Sequence, residues 1–314
     1  MLKKLISLIT ITALCFSTGI STFAESNTKD QMSTVSVEDF DISSEEFPDA
    51  YIEKELIPVN SFGIMGDEAS DNCVRTIAAT VYFEEGYKIE DNGEIVITKS
   101  ELLSKDKVDE IGKENFIPIE NPKDLVAEEA ASTKALASTT TNNARGKLTM
   151  KFTVTNSGTN KYTLLGTSTW SANNSSDGEN YPAPGNDFAG FTWGGQFDTE
   201  SASVSAKDNF GYSRTVYLSD SIPNCAHVWE YYEGTPTAQK IEWANITNNA
   251  VIYKNTLTGV GNTTSFIYKY IHTYQKTVGT ISISASSSGV AASFSLGNTS
   301  KQWSLVCTIS GYKY

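Results

Sequence analysis

The sequence predicts an all-β protein. An antiparallel β-sandwich, or partly closed barrel, is expected over residues 147–314, preceded by an acidic, mostly disordered segment with a small α+β element. Three observations predict it. From Lys147 onward, apolar and polar residues alternate in short runs that recur roughly every 12–18 residues, the period of half-buried strands in an all-β domain. Aromatic side chains concentrate in the same part, which holds all five Trp and 12 of the 15 Tyr. Charge is segregated as well: residues 25–146 carry 27 acids against 11 bases, and residues 147–314 carry 10 against 11.

Residues 1–24 read as a secretory signal. Lys3 and Lys4 form a positive start, and Leu5–Phe16 is an apolar run of 12, short for a bilayer span. Thr22 and Ala24 then place small residues two apart, as signal cleavage requires, so cleavage is expected after Ala24. Cys15 follows Leu14 rather than a small residue, which argues against a lipid anchor. The mature protein is expected to be exported, secreted and bacterial in type.

Residues 25–71 are rich in acids, among them Asp39, Asp41, Glu45, Glu46, Asp49, Glu53 and Glu55, and poor in apolar side chains to repay ordering. Disorder is expected there. Residues 72–125 read as a small α+β unit. Val74–Phe83 and Glu94–Thr98 have strand texture around an Asp91-Asn92-Gly93 turn signal, and Ser104 to Gly112 has helix start and stop residues. The small polar residues of 126–146 read as a linker. Arg145 at its end is an expected protease target, whose cleavage would shed the acidic segment as a pro-region.

In the expected sandwich, Leu148, Met150, Phe152 and Val154 alternate with Thr149, Lys151 and Thr153. Phe266, Tyr268, Tyr270, His272 and Tyr274 occupy one strand face. Exposed, Phe266, Tyr268, Tyr270 and Tyr274 would make a ring platform for sugars or extended chains; the same spacing fits a buried face. Val278–Leu296 reads as an uncharged hairpin, with Ile281, Ile283 and Ala285 alternating with Thr280, Ser282, Ser284 and Ser286, and Val290, Ala292, Phe294 and Leu296 alternating with Ala291, Ser293 and Ser295. That ribbon suits a pore lining, apolar to lipid and polar to water, or an ordinary half-buried hairpin.

Other constellations are weaker. Asp177, Glu179 and Asp187 in a polar loop supply oxygens for Ca²⁺, but at no known loop spacing. Cys225 and Cys307 are the favoured disulfide pair, with Cys73 left over. Cys225-Ala226-His227 places a thiol near an imidazole, a pairing used in nucleophilic catalysis, though neighbours two apart on a strand seldom meet. Glu230, Glu233 and Glu242 are candidates for a hydrolase carboxylate pair. No phosphate loop, serine elbow or three-histidine metal set occurs, so no catalytic residue is assigned and no cofactor beyond Ca²⁺ is considered. The acidic balance and lack of a basic stripe argue against nucleic acid.

The leading functional expectation is therefore a secreted β-sandwich protein that binds an extracellular glycan or protein. The alternatives are a pore-forming or membrane-active toxin, the one case with membrane contact, and a secreted carboxylate-dependent hydrolase.

Overall fold

On each long strand, the alternating side chains resolve into one face turned to a core and one turned away. The computed structural model describes residues 40–57, 73–89, 95–116, 138–158, 161–173, 186–194, 197–208, 212–232, 243–254, 263–274, 279–284, 291–297 and 301–313. In chain order the strands are β1 (Phe40–Ser43), β2 (Ile52–Leu56), β3 (Cys73–Ile89), β4 (Ile95–Leu102), β5 (Ser138–Gly158), β6 (Lys161–Asn173), β7 (Asn186–Trp193) and β8 (Asp198–Asp208). They continue as β9 (Ser213–Arg214), β10 (Tyr217–Ile222), β11 (Ala226–Tyr232), β12 (Trp243–Tyr253), β13 (Thr263–Thr273), β14 (Thr280–Ser284), β15 (Ser293–Gly297) and β16 (Gln302–Lys313). An α-helix, α1 (Lys105–Ile111), follows β4; Gly112 ends it at φ +86°, a conformation that favours glycine, and a 3-10 turn, Lys113–Phe116, comes after it.

Two antiparallel sheets pack face to face as a β-sandwich. The first has the order β1-β16-β13-β7-β11-β10. The second has the order β2-β3-β5-β6-β12-β8-β9, with β4 also paired to β3. Between them lie Leu148, Met150, Phe152 and Val154 of β5, facing Phe191 and Trp193 of β7 and Phe266, Tyr268 and Tyr270 of β13. At Gly166 on β6 the layers approach closely: a Cβ there would sit 2.5 Å from the Tyr268 ring. That ring's hydroxyl lies 2.9 Å from Ser168 Oγ and donates to Asn248 Oδ1, while Asn248 Nδ2 donates to Tyr231 at 2.6 Å. Polar atoms buried at the centre of the sandwich are thus paired across the two sheets.

The expected boundary between an acidic leader and an autonomous domain at 147–314 does not hold. β1 pairs with β16 from Phe40↔Ile309 to Ser43↔Val306, and β2 pairs with β3. β3 pairs with β5 along nearly its whole length, from Cys73↔Thr155 to Ile89↔Ser138. Residues 40–43 and 52–56 are therefore ordered strands within the segment read as disordered. Residues 73–89 and 95–102 are part of the large sheet rather than a separate α+β unit. Residues 138–146 form the first part of β5 rather than the end of a linker, because backbone pairing satisfies the chain whether or not its side chains are apolar. The β3–β4 hairpin and the helix after Ser104 are present, although Ser104 makes no side-chain cap bond. Residues 1–24, with Ala24, lie outside the described residues.

Candidate functional site: a surface hairpin and the cluster at its base

β14 and β15 pair only with each other among the described residues, as a separate two-stranded sheet. They lie on the outer face of the first sheet. Ile281, Phe294 and Leu296 pack on Phe188 of β7, Val228 of β11 and Ile271 of β13. Ala292 packs on Cys225 and Ala226, with Ile283 and Ile222 alongside. The opposite face, with Thr280, Ser282, Ser284, Ser293 and Ser295, is exposed. Lys269 of β13 lies beneath the hairpin, 8% exposed, and donates from Nζ to the Phe294 carbonyl at 3.1 Å. Thr192, on the same outer face of β7 by strand alternation, has a buried hydroxyl without a hydrogen-bond partner. The hairpin thus covers a face that is apolar but not fully satisfied.

The chain enters the hairpin from β13 and leaves it into β16, and this junction is held by buried polar groups. The imidazole of His272 lies between Asp187 of β7 and Glu85 of β3. Nδ1 is 3.1 Å from both Asp187 oxygens, and Nε2 is 2.9 Å from Glu85 Oε1. Tyr270 donates its hydroxyl to Asp187 and accepts from Trp170 Nε1 at 2.8 Å. The Thr273 N–H donates to Asp187 Oδ1 at 2.9 Å. Trp170 and Trp303 flank the imidazole, each with ring centroids 4.9 Å away. Trp303 Nε1 donates to Ser100 Oγ of β4, and the backbone and side chain of Ser304 both donate to Glu46 at 2.9 Å. Burial alone would push the His272 pKa down; Asp187 and then Glu85 more than reverse this and raise it to about 10. The imidazole is therefore charged at neutral pH, with both ring N–H groups donating.

This geometry reassigns several sequence candidates. Phe266, Tyr268 and Tyr270 are wholly buried in the sandwich core and Tyr274 is half-buried, so the row is not an exposed ring platform. Its alternation is that of a strand whose inner face meets a second sheet. Asp187 is likewise wholly buried, with its oxygens taken by Tyr270, His272 and Thr273, so it is not a loop ligand for Ca²⁺. Asp177 and Glu179 lie outside the described residues, as do Glu233 and Glu242.

Cys225 and Cys307 are free thiols. β16 and the start of β11 are three strand steps apart in the first sheet, about 14 Å, against the roughly 7 Å that a bridge tolerates between Cα atoms. Arg145 lies inside β5, opposite Glu84, and its Nε donates to that carboxylate at 2.7 Å; it is not a loop tip open to a protease. Cys73 begins β3.

Cys225 and His227 do not form an activated pair. Burial pushes the Cys225 thiol up and the His227 imidazole down, the reverse of what a thiolate–imidazolium needs. His227 Nε2 instead meets Thr199 Oγ1 at 2.9 Å, and Thr199 donates to the Pro223 carbonyl. Glu85 and Asp187 are the two close carboxylates that a hydrolase reading asks for, yet a single imidazole lies between them and the cluster is buried. That is the geometry of a structural clasp. Glu85 was missed at the sequence level, although it stands in phase with Ile77, Ala79, Val81 and Phe83, all of which face the core.

No known protein-family model matches the chain, and no curated protein matches it. The functional reading therefore rests on the geometry.

Proposed function

We propose that this is a secreted, membrane-active protein of pore-forming type, acting through the β14–β15 hairpin. One observation carries the reading: the hairpin is a sheet of its own with a buried apolar face and an exposed hydroxyl face. Those two faces match a ribbon with lipid on one side and water on the other. No charged residue occurs from 277 to 300, which gives two arms near the length that a tilted membrane strand needs, about 9–11 residues. The energetics support it too. Burying Ile281, Phe294 and Leu296 on the sheet contributes about 5–9 kcal/mol, and a bilayer core offers the same side chains a comparable gain. Moving the hairpin from sheet to lipid is then nearly neutral in its apolar part.

Dye release from phosphatidylcholine vesicles, with and without phosphatidylglycerol, tests the proposal. The mature protein is expected to release dye. Ile283→Asp, at a half-buried position, is expected to lower the rate at least tenfold while leaving the thermal transition of the sandwich in place. Silence of the unmutated protein on both vesicle types overturns the reading.

A second reading, binding of an extracellular glycan or protein, is favoured by a different observation. Tyr212, just before β9, and Tyr217 and Leu218, at the start of the edge strand β10, are 65%, 60% and 56% exposed. Rings with apolar faces and polar tips at such an edge suit a sugar or a partner surface. Retention on a glycan array or cell-wall fraction is expected to fall at least fivefold on Tyr217→Ala; equal retention of both proteins removes this reading.

A further inference from the structure

The β14–β15 sheet is placed in the chain as the tip of another hairpin. β13 and β16 are antiparallel neighbours, paired as far as Thr273↔Gln302, and β14 and β15 resume pairing at Thr280↔Gly297. Six residues, 274–279, separate the paired segments on one arm and four, 298–301, on the other. The difference is two. An even offset preserves the in-and-out alternation of a strand, whereas an odd one would reverse every side chain. The faces agree on both arms. The outer face of β13 carries Ile267, Lys269 and Ile271, in phase with Ile281 and Ile283. The outer face of β16 carries Ser304 and Val306, in phase with Phe294 and Leu296.

From this register we propose that β14–β15 is the folded-back tip of the β13–β16 hairpin, and that it swings out to continue that hairpin as one ribbon whose partner is a second copy of this chain. The proposal rests on the membrane reading above and adds the partner and the path. Lifting the tip returns Lys269 and the unpartnered Thr192 hydroxyl to water, which offsets part of the lost apolar contact. The base stays fixed because His272, Thr273, Trp303 and Ser304 are tied to Asp187, Glu85, Ser100 and Glu46.

The partner follows from the edges. The outer edges of β14 and β15 pair with nothing among the described residues. Unpaired strand edges are not tolerated in hydrocarbon, so a ribbon that enters lipid must be closed by further strands. One chain supplies two, and the smallest membrane barrels have about eight, so about four copies or more are required. An identical ribbon, uncharged and with the same hydroxyl face, supplies matching edges.

The native thiols provide the test. Cys225 lies beneath the hairpin, against Ala292 and Ile283, whereas Cys307 is wholly buried in the sandwich core. The mature protein is treated with a charged maleimide before and after phosphatidylcholine–phosphatidylglycerol vesicles are added, with labelled sites read by peptide mapping and copy number by amine crosslinking. Cys225 labelling is expected to rise at least tenfold on vesicles while Cys307 stays unlabelled, with crosslinked species reaching four copies or more. Dye release with Cys225 still protected overturns the swing and leaves the membrane reading standing. Labelling of Cys225 in a chain that stays monomeric overturns the second copy as partner, and labelling of both thiols means general unfolding and overturns the proposal. Absence of dye release overturns the membrane reading itself.

Discussion

A chain cut to residues 147–314 is expected not to fold. The cut removes β1 to β4 and the first part of β5, and with them one flank of the large sheet. Ile77, Val81 and Phe83 of β3 are buried in the shared core, and their loss forfeits about 5–9 kcal/mol, comparable to the whole net stability of a typical domain. Phe83 also packs edge-on to Trp170 with ring centroids 4.9 Å apart. The cut removes Glu85, Ser100 and Glu46 as well, leaving His272, Trp303 and Ser304 without the partners that hold the hairpin's base. Circular dichroism and the dispersion of amide resonances provide the measurement. A cooperative melt of the isolated 147–314 fragment would show that the second sheet does not need β3.

What misled the sequence reading was composition. The charge change at 146/147 is real, but among the described residues of strands β1 to β4 and the turns after β1 it resides largely on side chains that point away from the core. Glu53 and Glu84 are partly exposed and meet Lys113 and Arg145 across the surface. Inner-face residues such as Ile77, Val81 and Phe83 have the same texture as those after Leu148. Alternation was therefore the trustworthy signal and net charge was not, because charge reports the wet face of a strand and alternation reports both. The pairing of β3 with β5, and of β1 with β16 some 260 residues away, is non-local, and nothing in local texture specifies a partner so distant.

The candidate site was legible in part for the same reason. The hairpin at Ile281–Leu296 shows its two faces in sequence, and the structure has it paired in that phase. That it folds back across the first sheet rather than joining it is a matter of tertiary packing. The base cluster could have been found by phase alone. Glu85 is in step with Phe83, Asp187 with Ala189 and Phe191, and His272 with Tyr270, so three ionisable groups stand at core positions of three strands. Core positions hold charge only where it is paired, which makes these three an expected set even before their distances are known.

The pH dependence of stability follows from that set. His272 has a folded-state pKa raised to about 10, above the 6.5 of an unfolded chain. A raised pKa means that the folded state holds the proton more tightly. The stabilisation is then complete below pH 6.5, declines as pH rises, and is gone above about 10. Between pH 7 and 8.5 the protein is expected to lose about 2 kcal/mol of unfolding free energy, the slope of one proton. Other shifted groups fall outside that window. Burial lowers the pKa of His227, which weakens the fold only as pH drops below 6.5, and the thiol of Cys307, pushed up to about 12 by burial, costs stability only above its ordinary value of 9. Asp187→Asn removes the charge that does most to raise the His272 pKa while keeping an oxygen to accept its hydrogen bond. It is expected to cost about 3–5 kcal/mol at pH 7, as breaking a buried pair does, and to flatten the alkaline slope. Denaturant titrations at half-unit pH steps decide it: a wild-type stability that is level from pH 7 to 8.5 would mean that the imidazole between Asp187 and Glu85 is neutral, and that the hairpin's base is held by hydrogen bonds without the ion pair.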